Sequence, residues 1–300
     1  MTDKYAKRTK ARPRGKRRLM PRDLEVLRFI ARMQPVTTGM ICEHFGVSRD
    51  IGRRICRKLR DWPLIKVWVE CLERENRYTL KEAGRTLLAE RLGLAPKDLY
   101  VPRSLLKGLL HHDSAVHLFN ALSTASKSPA VMVDVEDFVL ERAIRAKLGS
   151  VTSAQVPDAI AVMRSSQGQR FALSVEIDTG SENPSYLVRN KAEPYAAFRR
   201  EGVSLWGCSR WSVVCIVPTK RRLHRLVSAF YDADALPRGL WFFAVAEQIT
   251  AQSIFTDTPW MTLQLNDENA QLVAKAPFSE FIKPVITTRH DRNDDLPTDK

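Results

Sequence analysis

Three carboxylates carry the most chemistry in this chain. The stretch VPDAIAVMRSSQGQRFALSVEIDTGSENPSYLVRNKAEPY, residues 156–195, holds two apolar runs, Ala159 to Met163 and Phe171 to Ile177, separated by the turn SSQGQ. That pattern predicts a β-hairpin. Asp158 opens its first strand, while Glu176 and Asp178 close its second. Residues two apart on a strand project from the same face, and antiparallel pairing brings Asp158 beside them. Carboxylates gathered at the end of an apolar hairpin repel one another and resist desolvation unless a cation neutralises them. Hard divalent ions, Mg²⁺ above all and Mn²⁺ with it, take such oxygen ligands. The alternative is a solvated strand end whose acids bind nothing.

Pro157-Asp158, a hairpin, then Glu176-Ile177-Asp178 and a helix resembles the layout of the PD-(D/E)xK nuclease fold. The longer run EIDTGSE, followed by a helix with Lys191 and Tyr195, resembles the replication-relaxation family of bacterial plasmids and mobile elements, over roughly residues 19 to 230. The resemblance implies an α/β (α+β) chain with an N-terminal winged helix-turn-helix and a PD-(D/E)xK-like αβββαβ domain. It implies that Asp158 and Glu176 hold Mg²⁺ or Mn²⁺, with the carbonyl of Ile177 as a third ligand. The lysine usual two residues after the Glu is replaced here by Asp178. That carboxylate can still take a proton from a metal-bound water, or hold a second cation. Lys191 is either the lysine migrated to the next helix or an ordinary exposed lysine, and Glu141 is a further candidate acid. Two functions follow. One is a double-stranded DNA-binding protein of a plasmid or mobile element, serving replication or mobilisation, whose second domain cleaves or nicks DNA with Mg²⁺. The other is a catalytically inactive DNA-binding regulator or replication scaffold. A homodimer, or replication and mobilisation proteins, are the protein partners either function implies.

The elements that must position these residues are legible in order. Residues 1–18 carry nine Lys or Arg and one acid, a net +8, and read as a disordered basic arm. From residue 19 to 92 the pattern is that of a winged helix. Pro21 starts a helix with Leu24, Leu27 and Ile30 inward; a second follows Thr37 or Thr38; Gly46 turns the chain and Ser48 caps a third. On that third helix Ile51, Ile55 and Leu59 recur every four residues, leaving Arg49, Arg53, Arg54, Arg57 and Lys58 outward, as a helix that reads a major groove requires. Strands Ile65 to Leu72 and Arg77 to Leu80, joined near Arg74, form the wing, and YTLKEAGRTLLAE closes the module as a helix. The other reading of the basic helix is a solvated face in a protein-binding module.

Gly93, Pro96 and Pro102 mark a linker over residues 93–104, and the nuclease-like domain runs from 105 to 277. Its expected elements are a helix from Leu105 to Leu122, a strand from Val131 to Val135 and a helix from Glu136 to Leu148. The hairpin comes next, then a helix from Ser185 to Arg200, the strand WSVVCIV, a basic amphipathic helix from Thr219 to Phe230, and a strand at Trp241 to Ala246. His111 and His112 are adjacent on the first helix, about 100° apart, and so cannot share one metal; packing or hydrogen bonding is expected of them. Residues 278–300 form a polar tail.

Composition narrows the classes. A formal charge of +14 with 44% hydrophobic residues points to a water-soluble protein with a polyanionic partner, nucleic acid before membrane. No apolar run approaches the ~20 residues of a membrane span, and no secretory signal is visible, so a cytoplasmic setting is expected. Cys42, Cys56, Cys71, Cys208 and Cys215 make no C-x-x-C pair and read as reduced thiols, not a zinc site.

Overall fold

The computed structural model describes residues 18–69, 74–105, 108–129, 131, 133–148, 156–232, 240–255, 260–266 and 269–274, with side chains within 262–274 left aside. The basic arm up to residue 17, the polar tail at 278–300 and the wing tip at 70–73 lie outside them. The fold is mixed α/β, and the chain divides into two units, Met1–Leu106 and Lys107–Lys300.

In the first unit α1 (Pro21–Met33) begins with proline at its first turn, where the missing N–H costs nothing. The Asp23 carboxylate caps it by accepting from Met20 N at 2.7 Å. A two-residue strand, β1 (Val36–Thr37), leads into α2 (Thr38–Phe45), whose first turn is closed by Met40 N donating to Thr37 Oγ1. Gly46 ends it with φ near 60°, a conformation glycine adopts without strain. Ser48 then caps α3 (Arg49–Asp61), and Ile55, Cys56 and Leu59 are buried beneath it. Strands β2 (Ile65–Trp68) and β3 (Arg77–Leu80) pair antiparallel, and β1 joins β3 on its other side, giving the order β1-β3-β2. Helix α4 (Glu82–Leu92) completes the unit. Fully buried Gln34 fastens it: its carbonyl accepts Leu80 N at 2.7 Å while its amide donates to Ala31 O and Tyr100 O. Three satisfied bonds make that burial tolerable and tie α1, β3 and the segment after α4 together.

The second unit opens with α5 (Leu109–Ala125), followed by β4 (Val133–Leu140), α6 (Glu141–Leu148), β5 (Ala159–Ser165) and β6 (Arg170–Ile177). A helical segment follows in three parts: α7 (Pro184–Leu187), a π-helical turn (Val188–Ala192) and α8 (Glu193–Arg200). Then come β7 (Trp211–Val217), α9 (Lys220–Asp232), β8 (Trp241–Val245), β9 (Met261–Asn266) and β10 (Asn269–Ala274). One seven-stranded sheet holds them in the order β10-β9-β8-β7-β6-β5-β4. Strands β6, β7 and β8 run parallel, and the outer pairs are antiparallel. The parallel strands β7 and β8 are buried along their whole length, which is why WSVVCIV and WFFAV read as unbroken apolar runs.

Three sequence expectations are corrected. The first helix of this unit starts at Leu109 and not Leu105, because Gly108 sits at φ 79°, outside the helical region. Residues 136–140 extend β4 and do not begin a helix: a bulge between Val135 and Asp137 keeps the strand paired with β5, with Phe138 and Leu140 buried. The two strands after β8 were not anticipated. The four described cysteines are free and buried, and among the described residues no helix is long and apolar enough to cross a membrane.

Gly84 marks the tightest approach in the first unit. A Cβ there would lie 2.3 Å from Leu64 O and 2.9 Å from Leu80 Cδ1. Gly84→Ala should therefore lower unfolding free energy by about 1–3 kcal/mol despite the better helix propensity of alanine. Denaturant titration measures this, and an unchanged or raised midpoint would show that the contact relaxes freely.

Candidate functional site

The hairpin delivers its carboxylates to one end of the sheet. Ala159 pairs with Val175, so Asp158 stands across from Glu176. Asp158 is pinned by its own backbone, its N–H donating to Val175 O and its carbonyl accepting Glu141 N, and its Oδ2 accepts Ile177 N at 2.7 Å. That leaves Oδ1 turned toward His111 Nδ1, 3.4 Å away. The hydrogen bond to Asp158 holds the His111 imidazole above its ordinary pKa, with burial acting against it. His111 Nε2 lies 3.5 Å from Thr179 Oγ1.

Glu176 is buried, and the helical segment after β6 supplies its partners. Lys191 Nζ lies 3.2 Å from Oε1 and 3.1 Å from Oε2, and also donates to Val156 O. Tyr195 donates to Glu176 Oε1 at 2.6 Å; its own oxygen then accepts from Ser174, which sits two residues before Glu176 on the same strand face. Lys191 lies in the π turn and Tyr195 in α8, and both converge on one oxygen. Pro194, at the start of α8, has no N–H to donate to Asn190 O, a local reason for the wider turn. Such π turns recur at functional sites. Desolvation pushes the Glu176 carboxyl up to about 7; the Lys191 charge opposes that rise and the Asp158 charge adds to it. Burial, with Glu176 beside it, pushes the Tyr195 phenol well above its ordinary value, so it remains a donor.

Asp178 shares the face but has another partner. Arg222, buried at the start of α9, grips both its oxygens, Nη2 reaching Oδ1 at 3.0 Å and Nε reaching Oδ2. Arg222 also donates to Glu182 O, and Gly180 N donates to Asp178 Oδ1, so this ion pair fixes the loop between β6 and α7. Among the sequence candidates, Asp158, Glu176 and Lys191 thus meet in one network, and Asp178 is neutralised beside it. Glu141 lines the same cavity of about 240 Å³ and is paired with Arg145. Among the described residues, no cluster of three or more His, Cys, Asp or Glu side chains is gathered to hold one metal ion.

His111, expected to pack or hydrogen-bond, does hydrogen-bond, and its partner is Asp158 itself. Another participant escaped sequence reading. Arg222 looked like one more cation of a basic helix; the signal that marks it out is its place beside the buried Leu223 and Leu226, where a surface arginine does not belong.

In the first unit the candidate DNA-binding residues separate. Arg53, Arg54 and Arg57 are exposed on α3. Arg49 is paired with Glu75 at 2.7 Å, and Glu75 in turn accepts Gly39 N. Arg49, Arg53, Arg57 and Arg74 line one hollow of about 480 Å³ between α3 and the β2–β3 hairpin. Lys58 is turned away from that group, its ammonium held by Asp23 and Arg18 O. Comparison with protein-family models, curated proteins and solved structures returns no match to this chain.

The buried Glu176 has a measurable signature. Its folded carboxyl, near 7, holds a proton that the unfolded chain releases near 4.5. Stability linked to that proton is full below about pH 4.5, falls as pH rises, and is gone above about 7. Wild type should therefore lose on the order of 3 kcal/mol relative to Glu176→Gln across that window. A difference between the two that stays constant from pH 4.5 to 7.5 would contradict this environment for Glu176.

Proposed function

We propose that the chain is a double-stranded DNA-binding protein of a replicating or mobile element, in which a winged-helix unit directs a PD-(D/E)xK-like, metal-dependent nuclease or nicking domain. The observation that carries this reading is the placement of Lys191 Nζ within 3.2 Å of Glu176, across the hairpin from Asp158. The lysine missing at position 178 is thereby supplied from the next helix. The order of α5, β4, β5, β6, α8 and β7, with β6 and β7 parallel, supports the same fold. The β1-β3-β2 sheet behind a capped basic helix supports the winged helix.

The donor set fits Mg²⁺ or Mn²⁺. Mg²⁺ commonly takes one or two carboxylates and fills its remaining positions with water and phosphate oxygens. Asp158 and Glu176 supply the carboxylates at an open cavity. The bound ion would polarise the scissile phosphate and assist formation of the attacking hydroxide. Lys191, anchored to Val156 O, is placed to donate to a phosphate oxygen or to orient the attacking water, and Tyr195 keeps Glu176 in position. His111 orients Asp158, and the Asp178–Arg222 pair steadies the loop that borders the cavity. Arg53, Arg54 and Arg57 read or clamp the duplex.

A second reading rests on one specific observation. Both Glu176 oxygens and both Asp178 oxygens already have cationic partners within the protein. A site satisfied in this way also suits a catalytically inactive DNA-binding scaffold.

Supercoiled plasmid distinguishes the two. Nicking or cleavage should appear only with Mg²⁺ or Mn²⁺, disappear in Asp158→Ala, and fall about 100-fold or more in Lys191→Ala. No cleavage by wild type, under conditions where it binds the plasmid, selects the scaffold. In the same preparations at least one of Arg53→Ala, Arg54→Ala and Arg57→Ala should lose about 1–3 kcal/mol of base discrimination. Equal losses on specific and random DNA in all three would make α3 a phosphate clamp and not a reader.

A further inference from the structure

The basic amphipathic helix α9 has a face that the site does not use. Its sequence is KRRLHRLVSAFYD. At about 100° per residue, Leu223, Leu226, Val227 and Phe230 fall on one arc, and all four are buried in the core of the second unit. Lys220, His224, Ser228, Arg221 and Arg225 fall in that order round an opposite arc of about 140°, and all are exposed. From Lys220 to Ser228 the arc contains no acid; Asp232 shares its angle only at the far end of the helix. Among the described residues, Lys220, Arg221, His224 and Arg225 make no side-chain hydrogen bond or ion pair, whereas Arg222 between them is committed to Asp178 and Glu182 O.

We propose that this exposed face of α9 is a second contact surface for the phosphate backbone of duplex DNA, flanking the carboxylate cavity. The proposal rests on the reading of the chain as a DNA-binding protein and extends it to the second unit. Three features favour a nucleic-acid backbone. Lys220 and Arg221 stand in the first helical turn, where the helix dipole disfavours cations, so an anion at this face relieves a local conflict. From Lys220 to Arg225 the helix rises about 7.5 Å, roughly two nucleotide steps along one strand. The apolar side of α9 is buried and cannot enter a bilayer, unlike the free apolar face of a membrane-surface helix. The helix also packs against α7 and the π turn, which carry Leu187 and Lys191 at the cavity, and Arg222 locks it to the loop after β6. DNA held on α9 is therefore held at a fixed offset from Asp158 and Glu176.

The test is a fluorescence-anisotropy titration of a labelled duplex with the full-length chain at several salt concentrations. Wild type is compared with Arg221→Gln/Arg225→Gln, with the charge reversal Arg221→Glu/Arg225→Glu, and with Arg53→Ala/Arg57→Ala. Both α9 arginines are exposed, so the variants should keep the wild-type melting temperature. The Gln pair should weaken binding at least tenfold and flatten the salt slope by about 1.8, the loss of two phosphate contacts. The Glu pair should weaken it further. Unchanged affinity and slope in both α9 variants, with binding lost in Arg53→Ala/Arg57→Ala, would overturn the proposal while leaving DNA binding by the first unit intact. Failure of the wild type to bind duplex at low salt would remove the underlying reading and this inference with it. Vesicles containing phosphatidylserine provide a further arm. If the α9 variants lose vesicle binding and retain DNA binding, the face serves a membrane surface and the proposal is overturned.

Discussion

A carboxylate taken out of water must find positive charge or keep its proton, and Glu176 does some of both. It is buried near the end of β6, with Ser174 before it on the strand and Asp178 just beyond the strand's end, and burial alone would make it a neutral acid. The Lys191 ammonium and the Tyr195 hydroxyl oppose that by stabilising the ionised form. The balance leaves its pKa near neutrality, where a modest change in local charge decides the protonation state. An arriving divalent cation is such a change.

Much of the second unit follows from holding that residue and its neighbours in place. The β5–β6 hairpin sets Asp158 opposite Glu176 by register, and backbone bonds on both sides of Asp158 keep it there. The π turn brings Lys191 to the oxygen that Tyr195 also reaches from α8. Asp178 would add a third negative charge to the same face, and Arg222 cancels it at close range. Removing either partner of that buried pair would leave an uncompensated charge, which is costlier than the pair itself. The helix bearing Arg222 is thus bound to the loop beside the cavity for electrostatic reasons, whatever its outer face contacts.

How much of this was legible in the sequence depends on how local each signal is. The β5–β6 hairpin, β7 and β8 were readable within a few residues, because buried strands show as short apolar runs bounded by turns. The capped helices α2 and α3 were readable from Thr37, Gly46 and Ser48. Residues 136–140 misled, since EDFVLERAI satisfies a helical spacing as well as a bulged strand, and only pairing with β5 decides between them. β9 and β10 lack the unbroken apolar runs that identified β7 and β8. At the site, the meeting of Asp158 and Glu176 was legible from the hairpin, but the arrival of Lys191 was not: it depends on a widened turn that no periodicity announces. His111 lies 47 positions before Asp158, and Arg222 lies 44 positions after Asp178. Contacts at such separations are products of the sheet order and leave no trace in local spacing.

The central claim is that Asp158 and Glu176 form a cation site with Lys191 in attendance. It is tested most directly by titrating Mn²⁺ into the full-length protein and following loss of the free-ion paramagnetic resonance signal, in wild type, Asp158→Asn and Glu176→Gln. The account predicts one bound Mn²⁺ per chain in wild type, displaced by excess Mg²⁺, and none in either variant while both remain folded. Equal binding by all three proteins, or none by the wild type, would contradict it.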